Sequence, residues 1–275
     1  MAMKMRMLTG LMLLLMASPL DCAAAQQPLK ARQGDILRLT LAGRSPHLFC
    51  FGVEWPVRQT GEHRWVGWIG IDLKQKPGHY QILWKDSDTQ TSLTLKVNAG
   101  EFRISHIQVE RKMAEFDPPT LARIRKEARA LKATYRAAVE ADPAIEMADY
   151  PVHGIISTPF GAQRYVNGQP RSPHSGLDIA APAGTPVHLP LAGRVLLVAD
   201  MYLNGKTIAI GHGNGLVSVY SHLEQTDVKA EDWVEAGTVI GRVGATGRAT
   251  GPHLHWGIRF HNARVNPESL LTGKP

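Results

Sequence analysis

The sequence predicts an all-β-dominated chain: a small β-sandwich-like domain, a linking helix, then an antiparallel β domain. Three observations predict it. Short β-prone runs, several alternating apolar and polar, recur along most of the 275 residues. Gly and Pro, 26 and 18 in number, separate those runs as turns. One central stretch lacks both and carries a helical period instead.

Residues 1–25 read as a secretory signal peptide. Lys4 and Arg6 make a positive start, Met7 to Ala17 an apolar run, and Ala23-Ala24-Ala25 a small-residue cleavage site before Gln26. The apolar run falls short of the roughly 18 residues a membrane span needs. Asp21 is a poor neighbour for a lipid-attachment role of Cys22. Cleavage leaves Cys50 as the one cysteine, so no internal disulfide is expected, and its place between Phe49 and Phe51 suits a buried hydrophobe. No second long apolar segment follows, so no transmembrane segment is expected in the mature protein.

Formal charge falls from +7 to +6 on cleavage, as Lys4, Arg6 and Asp21 leave together. A basic balance suits anionic polymers or membrane surfaces. Nucleic acid is disfavoured, since there is no aromatic-basic interleaving and no Cys/His finger.

Residues 26–109 read as the first domain. Asp35 to Leu41 alternates, Trp65 to Ile71 forms a second strand, and Lys76-Pro77-Gly78 turns into His79 to Trp84. Thr91 to Val97 alternates as well. His47, His63, His79 and His106 have no partner at ligand spacing and read as surface histidines. Residues 110–150 form the link: Pro118-Pro119 punctuates, and Thr120 to Ala141 carries an apolar stripe of Leu121, Ile124, Ala128, Leu131 and Tyr135. Its other face is basic, and Asp142-Pro143 ends it. Packing against a domain is expected for the apolar stripe. Residues 151–275 form the last domain, rich in Gly and Pro, with strands such as Gly193 to Val198, Thr207 to Ile210, Leu216 to Tyr220 and Leu254 to Phe260.

Five residues of this last domain carry chemistry. With period two, His253, His255, Gly257 and Arg259 share one strand face, while Leu254, Trp256, Ile258 and Phe260 share the other. The two imidazoles therefore project together, either towards one metal or as a surface pair. His174-Ser175-Gly176-Leu177-Asp178 adds an imidazole and a carboxylate on a loop entering a strand. Asp178 sits among apolar residues and needs a partner, a metal or a histidine. His222 ends Val217 to His222, in phase with Tyr220 and Ser218, as a further ligand or a general acid/base. Two histidines, one carboxylate and water make a catalytic zinc shell.

These motifs, in this order, resemble peptidase family M23, the lysostaphin- and LytM-like cell-wall endopeptidases. Ser157-Thr158-Pro159-Phe160-Gly161, Asn167-Gly168 and His174-x-x-x-Asp178 resemble the family's first block. Gly213-Asn214-Gly215 and Val219-Tyr220-Ser221-His222-Leu223 resemble its middle block. Gly244-x-Thr246-Gly247 and Thr250-Gly251-Pro252-His253-Leu254-His255 resemble its last. The resemblance covers roughly residues 151–268 and implies one Zn2+ per chain on His174, Asp178 and His255. It implies His222 and His253 as catalytic histidines, with the choice of base left open. Arg164 and Asn167 are groove candidates, and Tyr220 contacts substrate, neighbours the metal or packs. Ser175 stands where many members carry a basic residue.

The implied activity is hydrolysis of peptidoglycan peptide cross-links, with stem peptides as the partner. The expected address is the periplasm, with secretion as the alternative. No Gram-positive wall-targeting repeat is evident, so the D-Ala to diaminopimelate bond is expected. The upstream domain either targets or shields the groove, and leaves room for a regulatory protein partner. The alternative is a non-catalytic cell-wall-binding or amidase-activating protein, which the intact ligand and catalytic set argues against.

Overall fold

The computed structural model describes residues 27–87, 89–110, 116–142 and 145–272. The signal-peptide reading, with Cys22, lies outside the described residues, as does Pro143.

The chain begins with strands β1 (Leu29–Arg32), β2 (Ile36–Ala42), β3 (His47–Cys50), β4 (Val53–Trp55), β5 (Val57–Gly61), β6 (Arg64–Gly70), β7 (Gly78–Asp86) and β8 (Thr89–Asn98). They make two sheets, ordered β1-β8-β7-β3-β4 and β2-β6-β5. Alternation explains the strands: Leu39 and Leu41 of β2 are buried and Thr40 between them is exposed. Leu48, Ile82 and Leu95 from the other sheet join the same core. Cys50 is buried, and burial raises its thiol to about 11, so it is an inert hydrophobe. Short strands β3 to β5 have too few residues for periodicity to reveal them.

Next come β9 (Ile104–Ile107) and helix α1 (Pro118–Thr134). Asp117 caps α1 by accepting the Thr120 N–H at 2.8 Å. Pro118 and Pro119 occupy its first turn, where no donor is needed, rather than standing outside it. The helix lies against the last domain: Leu131 and Tyr135 pack on Ala209, Val217 and Val219. It stops at Thr134, short of the Ala141 that composition suggested. The chain beyond is claimed by tertiary packing. A Cβ on Gly213 would lie 2.0 Å from the Ala141 carbonyl oxygen, so only glycine lets residues around 141 settle there.

The remaining strands are β10 (Ile155–Thr158), β11 (Gln163–Val166), β12 (Gln169–Pro170), β13 (Gly176–Ala180), β14 (Pro186–His188), β15 (Gly193–Met201), β16 (Gly205–Gly213), β17 (Leu216–Thr226), β18 (Trp233–Val234), β19 (Val239–Val243), β20 (His253–Phe260) and β21 (Ala263–Val265). The main sheet runs β10-β13-β20-β17-β16-β15-β18, with β14 and β19 paired beside it and β21 on β20. Leu177, Trp256, Tyr220 and Ile208 stand in register across four strands and are fully buried, forming one core row.

Strand β9, within the range read as the first domain, pairs in parallel with β11 of the last. The two parts also meet at Asp72, which forms a two-pronged ion pair with Arg264. The Trp55 and Phe260 rings lie 5.3 Å apart, tilted by 46°, and buried residues of both parts form a single core cluster. The upstream sheets therefore hold the β20-β21 end of the sheet from behind.

Candidate metal centre

Strands β13 and β20 are neighbours, with Asp178 opposite His255 and Ala180 opposite His253. Phase puts Asp178 and His255 on one face and the Leu177-Trp256 pair on the core face. His174 enters from the loop before β13. A Cβ on Gly176 would lie 2.4 Å from the Trp256 carbonyl and 2.9 Å from the His255 ring, so glycine lets the loop approach β20 here. His174 Nε2 lies 2.9 Å from Asp178 Oδ1, and His255 Nδ1 also lies 2.9 Å from that oxygen. His174 Nε2 and His255 Nδ1 are themselves 2.9 Å apart. These three side chains make up a group able to hold a metal ion.

The first and last motif blocks supply the carbonyls that orient three imidazoles. His174 Nδ1 donates to Pro159 O at 3.1 Å, which leaves Nε2 as the lone pair in the triad. His222 Nδ1 donates to Thr246 O and His253 Nδ1 to Gly251 O, both at 2.8 Å. Both Nε2 atoms are thereby acceptors in the neutral rings. His253 Nε2 lies 4.0 Å from Asp178 Oδ1.

His222 reaches the site by a bulge. Strict alternation would send it to the core with Tyr220. Between Ile208↔Tyr220 and Lys206↔Leu223, strand β17 carries one residue more than β16. His222 takes φ 64° there, and its N–H donates to Asn204 O at 2.9 Å. The ring turns to lie 4.7 Å from His253 and 6.2 Å from His255. Tyr220 stays in phase and is 0% exposed beside Trp256. Its substrate-contact reading is therefore corrected to packing.

Burial by itself would raise the Asp178 pKa, but its contacts with His174 and His255 outweigh this and hold the carboxyl well below its usual range. Burial, with repulsion from the neighbouring imidazoles His255 and His253, pushes His222 down to about 3. Burial likewise lowers His255 to about 4, against the opposing pull of Asp178. His222 and His255 are thus neutral near pH 7, the state in which imidazole offers a lone pair.

Beside the triad lies a cleft of about 400 Å³, lined by His174, His222, His255 and Arg164 among others. Arg164 lines this cleft, and its guanidinium pairs with Asp178 Oδ2. Asn167 is not in the cleft lining. It takes φ 49° in the β11-β12 turn, and its amide bonds Val109 N and O at 3.0 and 3.1 Å, tying down the segment after β9. Two cleft residues escaped sequence reasoning, Arg171 and Arg248. Arg248 lies within the last motif block, between Gly247 and Thr250, but lone arginines in Gly-rich loops carry no spacing signal.

A sequence model of peptidase family M23 matches residues 172–267, the stretch that holds His174, Asp178, His222, His253 and His255. The DD-carboxypeptidase/endopeptidase Mpg of Neisseria meningitidis serogroup B is 40% identical over 124 residues, which cover 45% of this chain and 29% of that protein. The peptidoglycan DD-endopeptidase ShyA of Vibrio cholerae is 40% identical over 120 residues, 42% of this chain and 28% of its own. The chain thus spans under a third of the length of these curated relatives. A crystal structure from Pseudomonas aeruginosa, named as a peptidase M23, superposes with a TM-score of 0.70 at 35% identity. That match covers 90% of this chain and 96% of the other.

Proposed function

The chain belongs to peptidase family M23, and from that premise we propose that it is a zinc-dependent endopeptidase cutting peptidoglycan cross-links, at the bond from D-Ala to diaminopimelate. The observation that carries this reading is the meeting of His174 Nε2, Asp178 Oδ1 and His255 Nδ1 at 2.9 Å, with two more histidines beside them. Three acceptor atoms this close repel one another unless a proton or cation sits among them. Two imidazoles and one carboxylate are a donor set that suits zinc.

When bound, zinc would acidify water and polarise the scissile carbonyl. His174, Asp178 and His255 would hold it, and Arg164 would keep Asp178 oriented through its outer oxygen. His253, with Nδ1 spent on Gly251 O, takes a proton at Nε2 and returns it to the leaving amine. His222 is also an acceptor in its neutral form. Burial keeps it neutral, so its Nε2 accepts a hydrogen bond from the attacking water and orients it. His253 is thus proposed as the base and His222 as the residue that positions the water.

In this reading residues 1–25 direct export to the periplasm, residues 26–109 form an accessory domain, residues 110–150 link it, and residues 151–275 cut. A non-catalytic wall-binding role is opposed by the complete set of five residues.

The test is digestion of purified muropeptides carrying D-Ala to diaminopimelate links or glycine bridges, by zinc-loaded and metal-free protein, with products read by mass spectrometry. Cleavage of the first substrate with zinc alone is expected. Identical products after complete zinc removal would sink the reading.

A further inference from the structure

We propose that Arg248, flanked by Arg171 and Arg164, forms a subsite in the cleft that binds a carboxylate of the substrate peptide. The proposal rests on the peptidase reading and adds to it the chemistry by which substrate is chosen.

Arg164, Arg171 and Arg248 line the same cleft as His174, His222 and His255, and no acidic residue lines it among the described residues. The three are not equivalent. Arg164 is committed to Asp178. Arg248 is held by its backbone, whose N–H donates to Leu203 O at 2.8 Å. Its guanidinium makes no hydrogen bond or ion pair with any described residue. Half-buried, it feels its own desolvation first and then the positive charges of Arg164 and Arg171, and its pKa is lowered accordingly. A protein gains nothing in stability from such a placement. Like charges gathered in a cleft stabilise an anion that enters it. A guanidinium is planar and presents paired donors that match the two oxygens of a carboxylate.

The substrate chemistry supplies that group. In a D-Ala to diaminopimelate link, the carbon bearing the scissile nitrogen also bears a carboxylate. A second carboxylate ends the stem peptide. A glycine bridge has no carboxylate beside the cut bond. The arginines thus favour the first wall chemistry over the second on charge alone.

The test uses the full chain loaded with zinc and three cross-linked peptide dimers: one unmodified, one amidated at the carboxylate beside the scissile nitrogen, and one amidated at the terminal carboxylate. The unaltered protein should cut the unmodified dimer about 10- to 100-fold faster in kcat/KM than one of the amidated dimers, the scale of a charge-assisted contact. Which amidation matters identifies the carboxylate. Arg248→Gln should bring that ratio close to one, and Arg248→Lys should retain part of it. Melting curves establish that both variants fold. An unaltered protein indifferent to both amidations, or an Arg248→Gln protein with the full preference, would overturn the subsite. Calorimetric binding of the same dimers is measured in parallel. If nothing is cleaved, the peptidase reading fails, and the binding preference still decides the subsite: a preference lost in Arg248→Gln supports it, and no preference overturns it.

Discussion

Asp178 and His255 face each other across adjacent strands, and Asp178 Oδ1 lies 2.9 Å from His255 Nδ1. A directly opposed pair in a sheet is fixed by many backbone hydrogen bonds, so these two groups are set before any metal arrives. In the proposed reading these two hold metal with His174, while His222 and His253 position the water and move its proton.

Replacing Asp178 or His174 with Ala should therefore abolish stoichiometric zinc binding, as measured by metal content after dialysis. His253→Ala should keep the metal and lower kcat about 10²- to 10⁴-fold, the usual worth of a general base. A His253→Ala protein with the full peptidase rate would overturn the division of roles.

In the proposed zinc reading, Arg164 would act on the metal through Asp178, with which it forms an ion pair. Removing the partner of a ligand typically weakens metal binding about 10- to 100-fold. Arg164→Met should show a loss of that size in zinc Kd, measured by competition with a chromophoric chelator. An unchanged Kd would mean that the ion pair does not orient the carboxylate.

Removing zinc should lower stability as well as activity. An ion bound by the folded state alone contributes about 2.7 kcal/mol at a free concentration 100 times its Kd. Calorimetry with and without chelator should show a Tm that rises with free zinc. His174→Ala should show no such rise.

His212 makes a pH-dependent contribution away from the metal centre. It is fully buried, with Nδ1 donating to Ala192 O at 2.9 Å and Nε2 accepting from Ser218 Oγ at 2.7 Å. Burial lowers its pKa to about 4 from an ordinary 6.5. Between those values the unfolded chain binds a proton that the folded chain refuses. Its contribution is complete above pH 6.5 and is lost as pH falls towards 4, at no more than about 1.4 kcal/mol per pH unit. His212→Gln should flatten the fall of Tm over that window, relative to its own value at pH 7. Parallel slopes would remove His212 from the account.

Gly213 takes φ 86° and touches the Ala141 carbonyl. Gly213→Ala combines backbone strain with a clash and should cost about 1–3 kcal/mol in denaturant unfolding. A neutral outcome would mean that the segment after α1 is not docked as described.

Much of the site was legible in the chain. Period two alone brought His253 and His255 to one face and sent Leu254 and Trp256 to the other, because a strand's alternation is a local property. The apolar neighbours of Asp178 already demanded a partner for its charge. Long alternating runs such as β2, β8 and β20 were legible for the same reason, and the short β3 to β5 were not.

Tertiary structure decided the rest. His222 and Tyr220 share a phase in sequence, yet a bulge at φ 64° sends one to the candidate metal centre and leaves the other in the core. Alternation cannot predict the extra residue, which exists only once β16 sets the register of β17. Helix α1 ends where Gly211 and Gly213 accept the chain beyond it, a limit imposed from about 75 residues away and invisible to helix propensity. Arg164, Arg171 and Arg248 belong to three separate loops and strands, and only loop closure over the sheet gathers their charges into one cleft. The sequence by itself determined which residues are candidates for the chemistry and which faces they share with near neighbours. Folding decided which distant groups meet, because register, bulges and loop closure are set by pairing between segments far apart in the chain.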